Sequence, residues 1–288
     1  MEAVEVVDMK KVSVIMPCFN DGAYIEEAVA SIRAQTYPNI ELVIIDDGSD
    51  EPETKAVLEK LESSGAVLLH TNRLRPAGAR NAGIAAATGE YILPVDADDL
   101  IAPNYIEKAV KIMDDNDNIG VVYCHADLFG EQSGPWELPD YSLEKMLLDN
   151  IIFVSAMFRR EDWCKVGGYR TTMKHGMEDY DFWLSILELD RSVHQLPEVL
   201  FHYRIKPVSR TTRFQEDPAV VQQTYRMIYN QHPVLYEKYK DLYAMVLRDA
   251  LIEQLFLNRA YQKSIGILEQ LKKVPVLKNI IKQIILKK

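Results

Sequence analysis

Residues 79–99 read ARNAGIAAATGEYILPVDADD, and this segment alone indicates the class of fold. Its alanine-rich beginning predicts a helix over residues 79–87, which Thr88-Gly89 ends. The apolar residues 91–95 predict a buried strand, and the acidic sequence Asp96-Ala97-Asp98-Asp99 follows that strand immediately. A helix, a turn and a buried strand in this order are typical of a sheet of parallel strands whose ligands bind where the strands end.

The same alternation continues on both sides of this segment. Apolar and β-branched runs before it predict strands over residues 12–16, 41–45 and 67–69, with amphipathic helices between them. Later runs predict strands over residues 120–124, 152–158 and 199–203, and helices over residues 181–189 and from Pro218 onward. We therefore predict an α/β fold with a largely parallel, Rossmann-like sheet flanked by helices.

Two acidic pairs lie at predicted strand ends. Asp96 and Asp98 can share a hard cation and a ribose, since Mg²⁺ and Mn²⁺ prefer oxygen ligands and bound phosphates complete their coordination. Asp46 and Asp47 can accept hydrogen bonds from a base imide or a ribose hydroxyl. The alternative for both pairs is local: acids in turns that cap the next helix, with Ser49 as an N-cap after the second strand.

Three further groups carry candidate chemistry. Arg80 can reach a phosphate or buttress an acid, and the alternative is a packed helix with one snorkelling arginine. The acids of Glu178-Asp179-Tyr180-Asp181 stand beside aromatic residues, where a partly desolvated carboxylate can act as a general base or simply cap a helix. Arg204 and Lys206 can hold a diphosphate or form an exposed basic turn.

Taken together, these segments resemble the family 2 glycosyltransferases, which have the GT-A nucleotide-sugar-binding fold. The resemblance covers residues 11–215, and its specificity lies in the order and context of motifs that are weak singly. The matching segments are VSVIMPCFNDGAYIEEAVASIRAQTYPNIELVIIDDGSD (12–50), ARNAGIAAATGEYILPVDADD (79–99), and GGY (167–169) followed by GMEDYDFW (176–183).

The resemblance implies a role in donor binding for individual positions. The residues are Pro17 and Phe19 beside the base, Asp47 on the base with Asp46 supporting it, Asp96 on the ribose, Asp98 on a Mn²⁺ or Mg²⁺ ion, and Arg80, Arg204 and Lys206. One position departs from the family, which often has a histidine shortly after the Tyr-Arg pair, where this chain has Lys206. Lysine is not a routine metal ligand at neutral pH but can neutralise a diphosphate as a point charge. Metal coordination beyond Asp98 is therefore open.

The resemblance also implies a reaction and a domain organisation. Asp179 is the catalytic base, and Glu178 orients the acceptor or the base. The implied activity is inverting hexosyl or N-acetylhexosaminyl transfer from a nucleotide-diphosphate sugar, typically a UDP-sugar, to a hydroxyl of a saccharide or lipid-linked acceptor in cell-surface polysaccharide or glycolipid biosynthesis. Residues 1–215 form the GT-A domain, with a nucleotide-binding half at 11–125 and an acceptor half at 126–215, and residues 216–288 form a helical extension.

Other classes of protein share parts of this pattern. A haloacid dehalogenase-type phosphohydrolase also uses Asp-x-Asp at a strand end, but there the motif follows the first strand, and Leu100 replaces the usual Thr or Val. A sugar nucleotidyltransferase needs a glycine-rich loop after the first strand, where this chain has Pro17-Cys18-Phe19-Asn20-Asp21-Gly22. The chain also has no GxGxxG or GxxxxGK sequence for a dinucleotide or P-loop enzyme. An inactive nucleotide-sugar-binding scaffold is the non-enzyme alternative.

Charge is distributed unevenly along the chain. Residues 259–288 carry seven Lys, one Arg and one Glu, which is a net charge of +7. Since the whole chain has a net charge of −10, the other 258 residues carry −17. An acidic body argues against nucleic acid as a partner, since binding phosphates needs a basic face. In the tail, Leu277, Ile280, Ile281 and Ile284 share one helical face, which predicts either a peripheral membrane contact or docking onto the helices before it.

The remaining features indicate where the protein works. Three cysteines without a CxxC pair favour a reduced, cytoplasmic compartment over a disulfide framework. We expect no secretory signal and no transmembrane helix, which places the chain in the cytoplasm or at the inner membrane surface. The long C-terminal helices leave a homo-oligomer open.

Overall fold

The computed structural model describes residues 9–207, 214 and 216–271. Its contacts divide the chain into two compact units, the first ending at Lys238 and the second beginning at Tyr239. The predicted domain boundary at residue 215 stays a prediction, although the helices directly after it belong to the first unit.

The first half of the first unit alternates strands and helices. Its elements are β1 (Val12–Cys18), α1 (Gly22–Arg33), β2 (Ile40–Asp46), α2 (Pro52–Ser63), β3 (Val67–His70), α3 (Arg75–Ala86) and β4 (Tyr91–Pro94). Strands β3, β2, β1 and β4 lie side by side and are all parallel, with Cys18 opposite Asp46 and Ile15 opposite Pro94. Because parallel strands end at the same edge, the residues after β1, β2 and β4 meet there.

The second half of this unit completes the sheet. Its elements are β5 (Leu100–Ile101), α4 (Tyr105–Asp115), β6 (Ile119–Gly130), β7 (Gly134–Pro135), α5 (Leu143–Leu148), β8 (Met157–Arg159), α6 (Arg160–Val166), α7 (Glu178–Leu187), β9 (Ser192–Ile205), α8 (Pro218–Gln231) and α9 (Pro233–Lys238). The order of the described strands is β3-β2-β1-β4-β8-β6-β9-β5, with β7 paired to β6. Strand β8 is antiparallel to both β4 and β6, whereas β6 and β9 are parallel. The predicted α/β fold with a mostly parallel sheet is confirmed.

One predicted strand is largely wrong. Of residues 152–158, only the end belongs to a strand, which is β8. The preceding carbonyls bond to side chains instead of to a neighbouring strand: Trp183 Nε1 donates to the Ile152 carbonyl at 3.1 Å, and the Tyr105 hydroxyl donates to the Ser155 carbonyl at 2.8 Å. This segment is buried and apolar because it lies among aromatic rings, so its apolar character does not distinguish it from a strand.

Strand β9 is longer than the sequence predicts. The predicted strand over residues 199–203 is its second half, and Pro197 interrupts the pattern before it. The pairing with β6 tolerates the proline through shifts of register at Cys124 and His125. The extension carries Arg204 and Lys206 to the edge of the sheet where β1, β2 and β4 end.

The second unit contains the helix α10 (Lys240–Leu271). Among the described residues, no helix is both long enough and apolar enough to cross a membrane. The helix exposes large apolar side chains, including Leu251, Phe256 and Tyr261. The predicted membrane-binding tail, with Leu277 to Ile284, lies outside the described residues and stays a prediction.

The contact between α1 and α2 sets the position of the loop after β1. A Cβ atom at Gly22 would lie 2.6 Å from the Thr54 Cα, and the Gly22 N–H donates to Thr54 Oγ1 at 3.1 Å. We expect Gly22→Ala to lower the free energy of unfolding by about 1–3 kcal/mol, because backbone atoms of α2 cannot yield as a side chain can. Urea unfolding measures the change.

The matched control for this substitution is Ala30→Ser, at an exposed position of the same helix. It should change the free energy of unfolding by less than about 0.5 kcal/mol. Equal stability of Gly22→Ala and the wild type would show that α2 shifts freely.

Candidate active site

A cleft of about 380 Å³ opens at the edge where β1, β2 and β4 end. Most of the predicted donor-binding residues line it: Pro17, Phe19, Asp47, Asp96, Asp98, Arg204 and Lys206. The other two predicted residues lie behind its wall, since Asp46 is 7% exposed and Arg80 is 1% exposed. The structure therefore brings together residues that are as far as 189 positions apart in the sequence. We call this the donor cleft.

The acids after β2 hold the loop that leads into α3. Asp47 accepts hydrogen bonds from the Leu74 and Arg75 N–H groups at 2.6 and 2.7 Å and from Thr71 Oγ1 at 2.7 Å. Asp46 accepts from the Ser49 N–H at 2.8 Å. A carboxylate has about four acceptor sites, so Asp47 keeps capacity for a base imide. Its predicted role on the base is thus compatible with a second role as an anchor of the loop.

The same loop builds a stacked wall of the donor cleft. The Arg73 guanidinium lies 3.9 Å from the Phe19 ring centroid and pairs with Asp50 at 3.2 Å. Arg73 and Arg75 adopt positive φ angles of 55° and 65°, as does Asn20 at 58°. Asparagine adopts positive φ comparatively readily, but for arginine it is uncommon, and such backbone is found preferentially at functional sites. Sequence analysis missed the part played by Arg73, because the stack forms between segments more than 50 residues apart.

Lys206 lies against the residue that was predicted to hold the metal. Its ammonium is 2.6 Å from Asp98 Oδ2 and 2.8 Å from Asp21 Oδ1. Burial alone would lower the pKa of Lys206, but Asp98 and Asp21 outweigh burial and raise it, so the side chain is charged at neutral pH. Sequence analysis missed Asp21, which precedes α1 as an ordinary turn residue.

These residues do not fit a divalent metal ion as they stand. One oxygen of Asp98 already accepts from an ammonium, and a second cation beside that oxygen would be repelled by the first. Among the residues that the structure describes, no three His, Cys, Asp or Glu side chains are grouped as a metal site would require. The predicted metal position at Asp98 therefore has a lysine nitrogen beside it, from the position at which the family often has a histidine.

Arg204 is fixed by its surroundings. Its Nε donates to the Asp98 carbonyl at 2.8 Å, and its guanidinium pairs with Glu27. The guanidinium also lies 4.2 Å from the Phe129 ring and 4.8 Å from the Tyr24 ring. Two of its N–H donors and both ring contacts are used inside the protein, so Arg204 supports the loop of Asp98 while it also lines the donor cleft.

Asp99 ties the same loop to β9. Its Oδ1 accepts from the Arg204 N–H at 2.9 Å, and the residue is 1% exposed. Burial raises the pKa of Asp99 well above its usual range, and the neighbouring Asp98 and Asp96 raise it further. The third acid of the Asp-Ala-Asp-Asp sequence is thus a structural link, a distinction that the sequence does not show.

Arg80 connects the donor cleft to the acids before α7. Its guanidinium donates to Asp96 Oδ1 at 2.7 Å and to Glu178 Oε1 at 2.8 Å. The arginine and Glu178 are 1% and 2% exposed, whereas Asp96 is 32% exposed toward the cleft. Of the two roles the sequence allows, the structure places Arg80 as the buttress of an acid, and it buttresses two.

A second cleft, of about 550 Å³, lies on the other side of Asp96. Asp96 and Tyr203 line both clefts, and Glu178 and Asp179 line the second. The rest of its wall is largely apolar and aromatic, including Trp136, Phe153, Phe201 and Tyr225. We call this the acceptor cleft, because it is the open space next to both the donor cleft and the predicted base.

The start of α7 aims the predicted base into the acceptor cleft. Gly176 and Met177 have φ angles of 129° and 64°, and the turn that they form leads directly into the helix. Asn150 Nδ2 donates to Asp179 Oδ2 at 3.0 Å. The sequence gives no sign of this contact, since Asn150 lies in a segment without any periodic pattern.

Comparison with known proteins identifies the family to which this chain belongs. The sequence model of glycosyl transferase family 2 matches residues 13–167, more than half of the chain. The chain belongs to this family. An uncharacterised glycosyltransferase of Rickettsia typhi is 34% identical over 220 residues, which are 69% of this chain and 65% of the relative. The putative glycosyltransferase EpsH of Bacillus subtilis is 29% identical over 224 residues, 71% of this chain and 64% of that protein.

Solved structures confirm the GT-A fold. TarS of Staphylococcus aureus in complex with UDP-GlcNAc superposes with a TM-score of 0.67 at 19% identity, over 82% of this chain and 71% of that chain. The mannosyltransferase PcManGT of Pyrobaculum calidifontis, in complex with GDP-Man and Mn²⁺, gives a TM-score of 0.58 at 19% identity, over 89% and 84%. The chain spans about two thirds or less of the length of the curated relatives named above. Family membership argues against the phosphohydrolase alternative.

Proposed function

We propose that this chain is an inverting glycosyltransferase that moves a hexosyl or N-acetylhexosaminyl group from a UDP-sugar to a hydroxyl of a saccharide or lipid-linked acceptor. The observation that carries the proposal is the Arg80 bridge, which joins Asp96 of the donor cleft to Glu178 beside Asp179. A donor and an acceptor in the two clefts would meet at Asp96. The acceptor class is that of cell-surface polysaccharide or glycolipid precursors.

The chemistry follows from this arrangement. Asp179 accepts the proton of the acceptor hydroxyl while its oxygen forms a bond to the anomeric carbon. The bond between that carbon and the donor phosphate oxygen breaks on the opposite face, which inverts the configuration. The leaving nucleoside diphosphate gains negative charge in the donor cleft, where fixed positive groups stabilise the transition state more than they do the bound donor.

The choice of a uridine nucleotide rests on the family resemblance and on the complexes of the neighbours. TarS has been solved with UDP and with UDP-GlcNAc, whereas PcManGT has been solved with GDP-Man. In this chain the base would lie against Pro17 and the Phe19–Arg73 stack, with Asp47 as the acceptor for its imide N–H. A divalent metal ion on Asp98, which the family resemblance implies, would require Lys206 to leave Asp98.

Slow hydrolysis of the donor tests the proposed function without knowledge of the acceptor. Purified protein is incubated with UDP-glucose, UDP-galactose, UDP-GlcNAc, GDP-mannose and TDP-glucose, and proton NMR follows the released sugar. We expect one UDP-sugar to be consumed fastest and its α-linked sugar to appear first as the β-anomer, because water replaces the acceptor in an inverting displacement.

Each of three other outcomes would contradict a different part of the proposed function. Initial release of the α-anomer would refute the inverting mechanism. Preference for GDP-mannose or TDP-glucose would refute the uridine assignment. Binding of donors without any turnover, even with a panel of saccharide acceptors, would favour the inactive scaffold.

A further inference from the structure

We infer that the Lys206 ammonium is the resident cation of the donor cleft, and that it binds the donor diphosphate in place of a divalent metal ion. Donor binding and sugar transfer by this chain would then proceed without metal. The inference rests on the proposed function, since it assigns the group that holds the diphosphate of a nucleotide-sugar.

The position of Lys206 is built by three separate elements. The lysine directly follows β9, Asp98 follows β4, and Asp21 directly precedes α1. Salt bridges of 2.6 and 2.8 Å join the ammonium to the two carboxylates, and the Tyr24 ring centroid lies 5.5 Å from it. The side chain is thus held at the mouth of the cleft by contacts from both sides.

The bonding capacity of the ammonium leaves room for a phosphate. A lysine ammonium has three N–H donors, and its contacts within the described part of the chain use two of them, toward Asp21 and Asp98. The side chain is 24% exposed, and the residue lines the donor cleft. The third N–H is therefore available to a phosphate oxygen as a charge-assisted donor.

The two carboxylates also explain why the lysine stays charged while it holds a dianionic group. Asp21 and Asp98 hold the ammonium in place from two sides, and together they outweigh burial and raise the pKa of Lys206. When the bond between the anomeric carbon and the phosphate oxygen breaks, the electron pair moves to that oxygen, and the ammonium stabilises the new charge without losing its proton.

Arg204 does not compete for this role. Its guanidinium is engaged with Glu27 and the Asp98 carbonyl and is flanked by two aromatic rings. It lines the donor cleft as well, but these contacts hold it to the Asp98 loop, whereas Lys206 keeps an N–H donor for a diphosphate. At this one position the family often has a histidine, which can bind a metal ion, whereas this chain has a lysine, which supplies a positive charge itself.

Calorimetric titration with UDP, GDP and TDP tests the inference on the full chain, in buffer with EDTA and in buffer with Mn²⁺. We expect one nucleotide to bind the wild type with affinities that agree within about threefold in the two buffers. Lys206→Met should weaken binding in EDTA by roughly 10- to 100-fold, the range for one hydrogen bond to a charged group. Lys206→His should bind that nucleotide only with Mn²⁺, because it restores a metal ligand beside Asp98.

Controls separate this inference from folding defects and from the proposed function. Lys55→Ala, at an exposed lysine on α2, should bind as the wild type does, and thermal unfolding checks each variant. Wild-type binding that requires Mn²⁺ and disappears in EDTA would overturn the inference but leave the proposed function intact. Unchanged binding by Lys206→Met in EDTA would also overturn it. The absence of binding by any nucleotide in either buffer would overturn the proposed function itself.

Discussion

Asp179→Asn should lower the rate of donor hydrolysis and of sugar transfer by about 10²- to 10⁴-fold, the usual contribution of a positioned general base. The amide keeps the size of the side chain and can still accept a hydrogen bond from Asn150, so the start of α7 should keep its geometry. It cannot take the proton of the attacking hydroxyl. Hydrolysis rates measured by NMR, together with calorimetric nucleotide binding, test this expectation.

The hydrolysis rate and the nucleotide affinity of Asp179→Asn should respond differently. Asp179 lines the acceptor cleft and does not line the donor cleft, so nucleotide affinity should stay near that of the wild type while turnover falls. Asp115→Asn is the matched control, because it makes the same chemical change at an exposed residue at the end of α4. Near-normal turnover by Asp179→Asn would show that another group takes the proton, and loss of nucleotide binding would show that the variant is damaged elsewhere.

The sequence predicts those parts of the fold in which an apolar run marks a strand and the parallel sheet then fixes where that strand ends. Residues of β1 such as Val14 and Ile15 are fully buried, so the strand reads as a continuous apolar run that no other element explains as well. Once the strands are parallel, the acids after β2 and β4 must lie at one edge. The donor cleft is therefore predictable in outline from Asp47, Asp96 and Asp98.

The contacts that complete the site leave no local signal. Arg80 and Glu178 are 98 residues apart, and Lys206 and Asp21 are 185 residues apart. No periodicity relates such positions, since their contact depends on how β9 and α7 pack against the first half of the sheet. The identity of Lys206 suggested a departure from the family, but only its place between Asp21 and Asp98 shows what the lysine does.

The same reasoning explains why the role of Arg80 stayed open. An arginine on an alanine-rich helix can either reach a phosphate or support an acid. The partner that distinguishes these roles, Glu178, lies far away in the sequence on α7. The sheet brings α3 and α7 to opposite sides of Asp96, so that one guanidinium reaches both acids. The Arg80 guanidinium and the carboxylates of Asp96 and Glu178 thus form an ion triad that joins the wall of the donor cleft to the start of α7.

Arg80→Met should lower the free energy of unfolding by about 3–5 kcal/mol, because it removes the guanidinium that pairs with both Asp96 and the buried Glu178. Glu178 is 2% exposed, so its carboxylate cannot turn to water. For a chain of this length the loss corresponds to a fall in Tm of roughly 10 °C. Turnover should fall as well, even below the transition, because Asp96 and the start of α7 lose the group that holds them in register. Thermal and urea unfolding give the stability, and donor hydrolysis at low temperature gives the turnover.

Two further variants show whether the losses of stability and turnover in Arg80→Met come from the ion triad or from the packing of the side chain. Arg159→Met also removes a buried arginine, but one that donates to the carbonyls of Ile119, Met113 and Asn116. It should destabilise the protein without changing the hydrolysis rate of the folded fraction. Arg80→Met combined with Glu178→Gln should regain part of the lost stability, because the neutral amide at α7 does not need the positive charge of the guanidinium. If Arg80→Met alone were as stable as the wild type, the link between the two clefts would have to be carried by the packing of α7 and not by the charges.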